Sequence, residues 1–243
     1  RDYLLRRGLT GSSITRIFGT VRSVFNFSAN ESGLTLNNPF SGVYYNRNAG
    51  VLRRNPIPID KIRHIQKKCL ELDDELRWLV ALVSDTGMRL AEAAGLLVDD
   101  LILDSDIPFV IIQKHPWRSL KTLGSERKVP LVGVSLWGAQ RIKANQRNNF
   151  AFPRYNKNGQ TNSNSASAAL NKWIKQTTSS DYSMHSFRHS LRDRLRAIEC
   201  PPDIADQVGG WTTQGIGQGY GNGYELDILK KWIKGIKTLI QTL

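Results

Sequence analysis

Apolar positions recur along this chain with two different periods. Ile14, Ile17, Phe18, Val21 and Phe25 fall on one side of a helix, with Ser12 and Ser13 ahead of them as cap candidates. A helix is expected over 60–72. Another is expected over 74–85, where Leu76, Leu79, Val80 and Val83 share a side, and Thr86-Gly87 then turns the chain into a third carrying Arg89 and Glu92. Further helices are predicted over 135–146, 165–176 and 186–197, with a short one over 203–208 behind Pro201-Pro202. The last runs over 225–241, with Leu226, Leu229, Trp232, Ile233, Ile236 and Ile240 as an apolar stripe. The other period is that of strands. Residues 108–114 and 127–132 are β-rich runs, and the basic, glycine-containing turn between them predicts a hairpin with a long loop. Residues 155–164 read as a polar loop.

This pattern describes a mainly α (α+β) chain with a small antiparallel sheet. It divides into a helical module over 1–48, a basic linker over 49–58 containing Arg53, Arg54, Pro56 and Pro58, and a larger domain over 59–243. The chain opens on Arg1-Asp2-Tyr3 without a methionine, which reads as a trimmed start.

Charge narrows the partners. Of 243 residues, 34 are Lys or Arg and 21 are Asp or Glu, giving +13 and a pI of about 10.0. A polyanion is the implied partner, nucleic acid first and an anionic membrane surface second. No apolar run approaches the roughly 20 residues a membrane span needs, and no signal-peptide pattern opens the chain. Cys69 and Cys200 have no zinc-ligand spacing, and a reduced, cytoplasmic setting fits. In the first module Arg1, Arg6, Arg7, Arg16 and Arg22 face only Asp2 and Glu31, a balance suited to tracking phosphates.

The candidate chemistry lies in five places. Arg89-x-x-Glu92 follows Thr86-Gly87, and Lys121 sits in the basic turn 119–128. His185-x-x-Arg188 puts an imidazole and a guanidinium on one helix face, where both reach a single anion. Trp211 follows Gly209-Gly210, and Tyr220 lies nine residues further on in a glycine-rich stretch. Two arginines, a lysine, a histidine and a tyrosine suit attack on a phosphodiester by a tyrosine hydroxyl. No Asp, His or Cys cluster has metal-ligand spacing and no phosphate loop ends in Lys-Ser or Lys-Thr, so no metal and no nucleotide cofactor is implied.

In order and spacing this set resembles the active site of tyrosine recombinases of the phage-integrase type, and the resemblance covers nearly the whole chain. It implies a catalytic domain of the integrase fold over 59–243. Residues 1–48 would then be the tail end of a core-binding module that clamps DNA, its first helices missing. It also implies a site-specific DNA recombinase working through a 3′-phosphotyrosine. Arg89 and Arg188 would neutralise the two non-bridging oxygens, and Lys121 would protonate the departing 5′ oxygen, with Lys114 and Lys128 as competitors. His185 would take the tyrosine proton or hydrogen-bond the phosphate. Trp211 occupies a place where the family has histidine or tryptophan. Tyr220 would be the nucleophile, with Tyr224 as its competitor.

Glu92 would hold Arg89 or His185, or form an ordinary helix salt bridge. His189 reads as a buried partner of His185 or as a group that supports the site from behind, His64 and His115 as structural, and Trp78, Trp117, Trp137, Trp173 and Trp232 as core aromatics. The implied partners are double-stranded DNA, three further copies of the chain in a tetramer, and DNA-bending accessory proteins. The implied setting is the prokaryotic nucleoid, with integration or excision of a prophage or genomic island. Two rivals share the fold or the chemistry: a catalytically silent DNA-binding protein and a type IB topoisomerase.

Overall fold

The computed structural model describes residues 1–51, 55–211 and 223–240, with backbone only at 123 and 237–240. The chain forms two compact units, Arg1–Arg54 and Asn55–Leu243.

The first unit holds α1 (Asp2–Arg6) and α2 (Gly11–Glu31). α2 begins two residues earlier than a Ser12 cap would start it and three earlier than a Ser13 cap would. Its cap is Thr10, whose hydroxyl accepts the Ser13 N–H at 3.3 Å. Ile14, Phe18 and Ala29 are buried on its inner side. The Tyr45 ring stacks on Phe18 at 5.7 Å and its hydroxyl donates to Thr15 at 3.0 Å, while the Gly11 N–H reaches Ala49 at 2.7 Å. Those contacts fold the segment after α2 back onto that helix.

The second unit is built around α4 (Glu75–Thr86). Asp74 caps it, accepting the Arg77 N–H at 3.0 Å, and every residue from Leu79 to Thr86 is buried. The one-sided stripe expected from the sequence therefore understates the burial: α4 is enclosed by α3 (Ile59–Leu72), α6 (Gly133–Ala144) and α8 (Met184–Ala197). Helices α5 (Leu90–Ala94), α7 (Ser163–Thr178), α9 (Pro202–Gly209) and α10 (Leu226–Ile240) complete the helical shell.

A three-stranded antiparallel sheet runs in the order β1 (Leu101–Ile102), β2 (Phe109–Ile112), β3 (Arg127–Pro130). The β2–β3 hairpin matches the expectation, with Ile112 opposite Arg127 and Phe109 opposite Pro130. β1, two residues long, carried no periodic signal. The stretch read as a polar loop contains a small hairpin, β4 (Asn156–Lys157) and β5 (Gln160–Thr161), which ends on Asn162, the cap of α7. Leu229, Ile233 and Ile236 of α10 are buried against the unit's own β3, α8 and α3, each contributing about 2 kcal/mol of gross apolar burial. Among the described residues no helix is long and apolar enough to cross a membrane.

Candidate active site

Gly87, with φ of +59°, ends α4, and two residues later Arg89 caps α5 in an extended conformation. Arg89 therefore does not share a helix face with Glu92, as the spacing suggested. Glu92 reaches back instead: one carboxylate oxygen accepts the Arg89 backbone N–H at 2.9 Å and the other accepts Arg89 Nη1 at 2.6 Å.

Glu92 also binds a third group. Arg127 occupies an inward position of β3 and is almost wholly enclosed. It donates Nη2 to Glu92 at 3.0 Å, Nε to the Val208 carbonyl at 2.9 Å and Nη1 to the Ser125 carbonyl at 2.7 Å. Burial opposes ionisation of Glu92, but Arg127 and Arg89 overcome it and hold its pKa below the usual carboxylate value. Ser125 closes the loop between the strands: its hydroxyl accepts Arg89 Nη1 at 3.1 Å and the Thr122 N–H at 3.3 Å. That anchors the loop next to Lys121, whose own side chain is exposed.

Arg188 enters from α8. It is 3% exposed and donates Nη1 to the Gly87 carbonyl at 2.9 Å and Nη2 to the Gly210 carbonyl at 3.2 Å. Arg89 Nη2 donates to that same Gly210 oxygen at 3.3 Å. Burial, then the neighbouring Arg89 and Arg127, push the Arg188 guanidinium down to about 9. Among the described residues no carboxylate lies within ion-pair distance of Arg188. Glu92 thus pairs with two guanidiniums, and Arg188 beside them adds a third positive charge that it does not pair.

Trp211 follows the left-handed turn at Gly210 (φ +60°), and its backbone N–H donates to the Asp206 carbonyl at 2.9 Å. Its indole lies 4.6 Å from the Arg188 guanidinium and 4.8 Å from that of Arg192. His185 and His189, one turn apart on α8, pack edge to face at 5.1 Å. Both are exposed, so His189 packs on His185 without being buried, which leaves the supporting role of the two that the sequence offered. His185, Arg188, His189, Arg192, Asp206 and Trp211 line an open cleft of about 230 Å³, and Arg89 adjoins Arg188 through the shared Gly210 oxygen.

The remaining candidates separate clearly. Tyr220 lies outside the described residues. Tyr224 is tied to α9: its hydroxyl donates to Asp203, its N–H donates to Gln207 at 2.7 Å and its carbonyl accepts from Gln207 at 2.8 Å. The bond to Asp203 raises the Tyr224 phenol. Asp203 lies in the first turn of α9 and Gly210 caps its other end, so the Tyr224 hydroxyl is tied to the opposite end of α9 from the arginines' shared oxygen. Lys128 extends over the Phe109 ring at 5.5 Å, on the opposite side of β3 from Arg127. His115 binds Asp100 at 2.9 Å and stacks on Trp117 at 4.7 Å, a structural role.

Arg127, Ser125, Arg192 and Asp206 had no part in the sequence-derived site. Two signals pointed toward them. Arg127 shares the inward parity of Val129 and Leu131, an odd place for a charge unless it is paired. His185-Ser186-Phe187-Arg188 is followed at once by His189-Ser190-Leu191-Arg192, the same pattern one turn along. Among the described residues no group of three or more His, Cys, Asp or Glu side chains is placed to hold a metal ion. The donors gathered here suit an anion.

Residues 57–225 match the phage integrase family. The fold is similar to that of the Tn1549 transposon integrase in complex with circular intermediate DNA, with a TM-score of 0.61 and 15% identity over 94% of this chain and 80% of that one. It is similar to a lambda integrase dimer bound to a core site, with a TM-score of 0.62 and 15% identity over 88% of this chain and 80% of that one. The integrase of mycobacterium phage Brujita gives a TM-score of 0.58 and 13% identity over 98% of this chain and 79% of that one. No curated protein matches the chain in sequence.

Proposed function

The chain belongs to the phage integrase family, the tyrosine recombinases, and from that premise we propose that it cuts and rejoins duplex DNA through a 3′-phosphotyrosine intermediate. The observation that carries this reading is the pair of guanidiniums, Arg89 and Arg188, meeting at one oxygen inside a site with unneutralised positive charge. A phosphodiester resists attack because its anionic oxygens repel nucleophiles and its leaving alkoxide is poor. Arg89 and Arg188 supply donors for the two non-bridging oxygens, where charge grows as phosphorus becomes five-coordinate.

Tyr220 is the proposed nucleophile. Its oxygen bonds to phosphorus, the bond to the 5′ oxygen breaks, and the phosphate stays on the 3′ side. The tyrosine proton passes to His185, whose exposed ring lines the cleft beside Arg188. Lys121, exposed at the anchored loop, gives a proton to the 5′ oxygen. The Trp211 indole N–H donates to a phosphate oxygen and its ring supports the tyrosine. Glu92 fixes Arg89. Tyr220 is preferred to Tyr224 because the Tyr224 phenol is engaged at the far end of α9 and is harder to ionise.

Four copies would assemble on two DNA sites, each using residues 1–48 to clamp the duplex, with DNA-bending proteins assisting. A lambda integrase tetramer bound to a Holliday junction, of similar fold (TM-score 0.61, 15% identity), supports that assembly. The Tn1549 complex supports a mobile genetic element as the substrate.

The test is a covalent adduct on a nicked duplex taken from the element's own junction, resolved on a denaturing gel for wild type, Tyr220→Phe and Tyr224→Phe. An adduct lost only in Tyr220→Phe is expected. Loss only in Tyr224→Phe moves the nucleophile, and no adduct from wild type on its own junction overturns the cleavage reading.

A further inference from the structure

Resting on the cleavage reading above, we propose that Arg192 and Asp206 form a positioning pair that sets the Trp211 indole against Arg188, without either touching the reacting phosphate. Arg192 lies one turn beyond Arg188 on α8, so both guanidiniums project over the same part of the cleft. Each approaches the Trp211 ring, at 4.6 and 4.8 Å from its centroid, inside the range of about 6 Å for cation–π attraction.

Two like charges at one ring repel each other. Asp206 removes that conflict, because its carboxylate pairs with Arg192, and the pair is sheltered, with side chains 27% and 7% exposed. Arg188 keeps the net positive charge at the ring. Asp206 serves Trp211 a second time through its backbone carbonyl, which accepts the Trp211 N–H at 2.9 Å. One residue of α9 therefore fixes both the backbone of Trp211 and the cation that lies on its ring.

The chemistry of the side chain explains why such a pair is needed. An indole donates one hydrogen bond and accepts none, so neighbouring arginines cannot orient it by donating to it. Orientation must come from stacking and from shape. The shape is supplied from below by Gly209, where a Cβ would lie 2.0 Å from the ring. Arg192 supplies the stacking. With an imidazole in place of the indole, both would be dispensable, because a ring nitrogen can be oriented by a hydrogen bond.

The experiment measures single-turnover formation of the covalent adduct, DNA affinity and thermal melting for Arg192→Gln, Arg192→Lys and Asp206→Asn. Each is made both in the natural chain and in a Trp211→His chain. Lysine keeps the ion pair to Asp206 but not the planar stacking, so Arg192→Lys should melt like the natural chain and still lose rate. In the Trp211 background each substitution should slow adduct formation about tenfold, the scale of a slightly misplaced group, with affinity within about twofold. In the Trp211→His background the same substitutions should change the rate by less than about twofold, a coupling that independent sites do not show. Equal losses in both backgrounds would make the pair a strut between α8 and α9 and overturn the proposal. No adduct from the natural chain overturns the cleavage reading, and this inference with it.

Discussion

Arg89 and Arg188, from opposite halves of the second unit's sequence, donate to one oxygen, the Gly210 carbonyl, at 3.3 and 3.2 Å. An uncharged oxygen holding two guanidiniums is a weak partner for both, and a phosphate offering two charged oxygens is a better one. Arg188→Lys keeps the charge but loses the fork. We expect adduct formation to fall by about 10²- to 10³-fold, the loss seen when one donor to a developing oxyanion is removed. Single-turnover gels check this, with DNA affinity measured alongside to separate binding from chemistry.

Glu92→Gln removes the carboxylate that binds Arg89 and Arg127. With Arg127 left buried and unpaired, we expect a stability loss of about 3 kcal/mol, read by chemical denaturation. Adduct formation should fall with it, because Arg89, the cap of α5, loses the charge of Glu92 and one of the two carboxylate oxygens that hold it.

The same comparison has a pH signature. Glu92 is held below its usual value near 4.3, so it binds fewer protons folded than unfolded there. Its contribution is full above about pH 4.3 and is lost as pH falls through the lower folded value. The melting difference between wild type and Glu92→Gln should therefore be constant near neutrality and shrink in acid. A difference that widens below pH 4 would contradict the assigned pairing.

Gly210→Ala tests the turn. Its φ is +60°, and a Cβ there would lie 2.5 Å from Arg127 Nη1 and 2.8 Å from Cζ, a group fixed by Glu92, Ser125 and Val208. We expect a loss of about 1 to 3 kcal/mol and a fall in adduct formation larger than that of Gly223→Ala, where the Cβ meets the end of the Gln207 side chain. Paired melting curves and cleavage gels decide the order.

Tyr224→Phe removes the hydroxyl that donates to Asp203. Adduct formation should persist at close to the wild-type rate, and Asp203, whose pKa that bond lowers, should titrate higher. A carboxylate NMR titration of the two proteins reads the second effect independently of cleavage.

Much of this was legible in the sequence because it depended on local pattern. The helix carrying His185 and Arg188, the β2–β3 hairpin and the middle of the α10 stripe, Leu229, Ile233 and Ile236, are all periodic features, and they sit where the periodicity placed them. Arg89 was legible as a residue but not as a geometry: three-residue spacing suggested a shared helix face, whereas the turn at Gly87 makes Arg89 a cap. Arg127 and Asp206 escaped because their roles depend on contacts 35 and 14 residues away, which no local pattern encodes. The small hairpin at 156–161 escaped for the opposite reason, since two-residue strands in polar sequence carry too little signal for any period.

The close fit of Gly209 beneath the Trp211 ring has a consequence for how this sequence can change over generations. With tryptophan at 211, any side chain at 209 collides at 2.0 Å, so replacement of the glycine is tolerated only after the indole has gone. The two positions are therefore epistatic, and with a fixed order. A lineage that exchanges the tryptophan for a smaller ring gains freedom at 209, whereas one that retains it is confined to glycine there. Family members with tryptophan at this place should keep the glycine two residues before it, and members with histidine should show a wider choice.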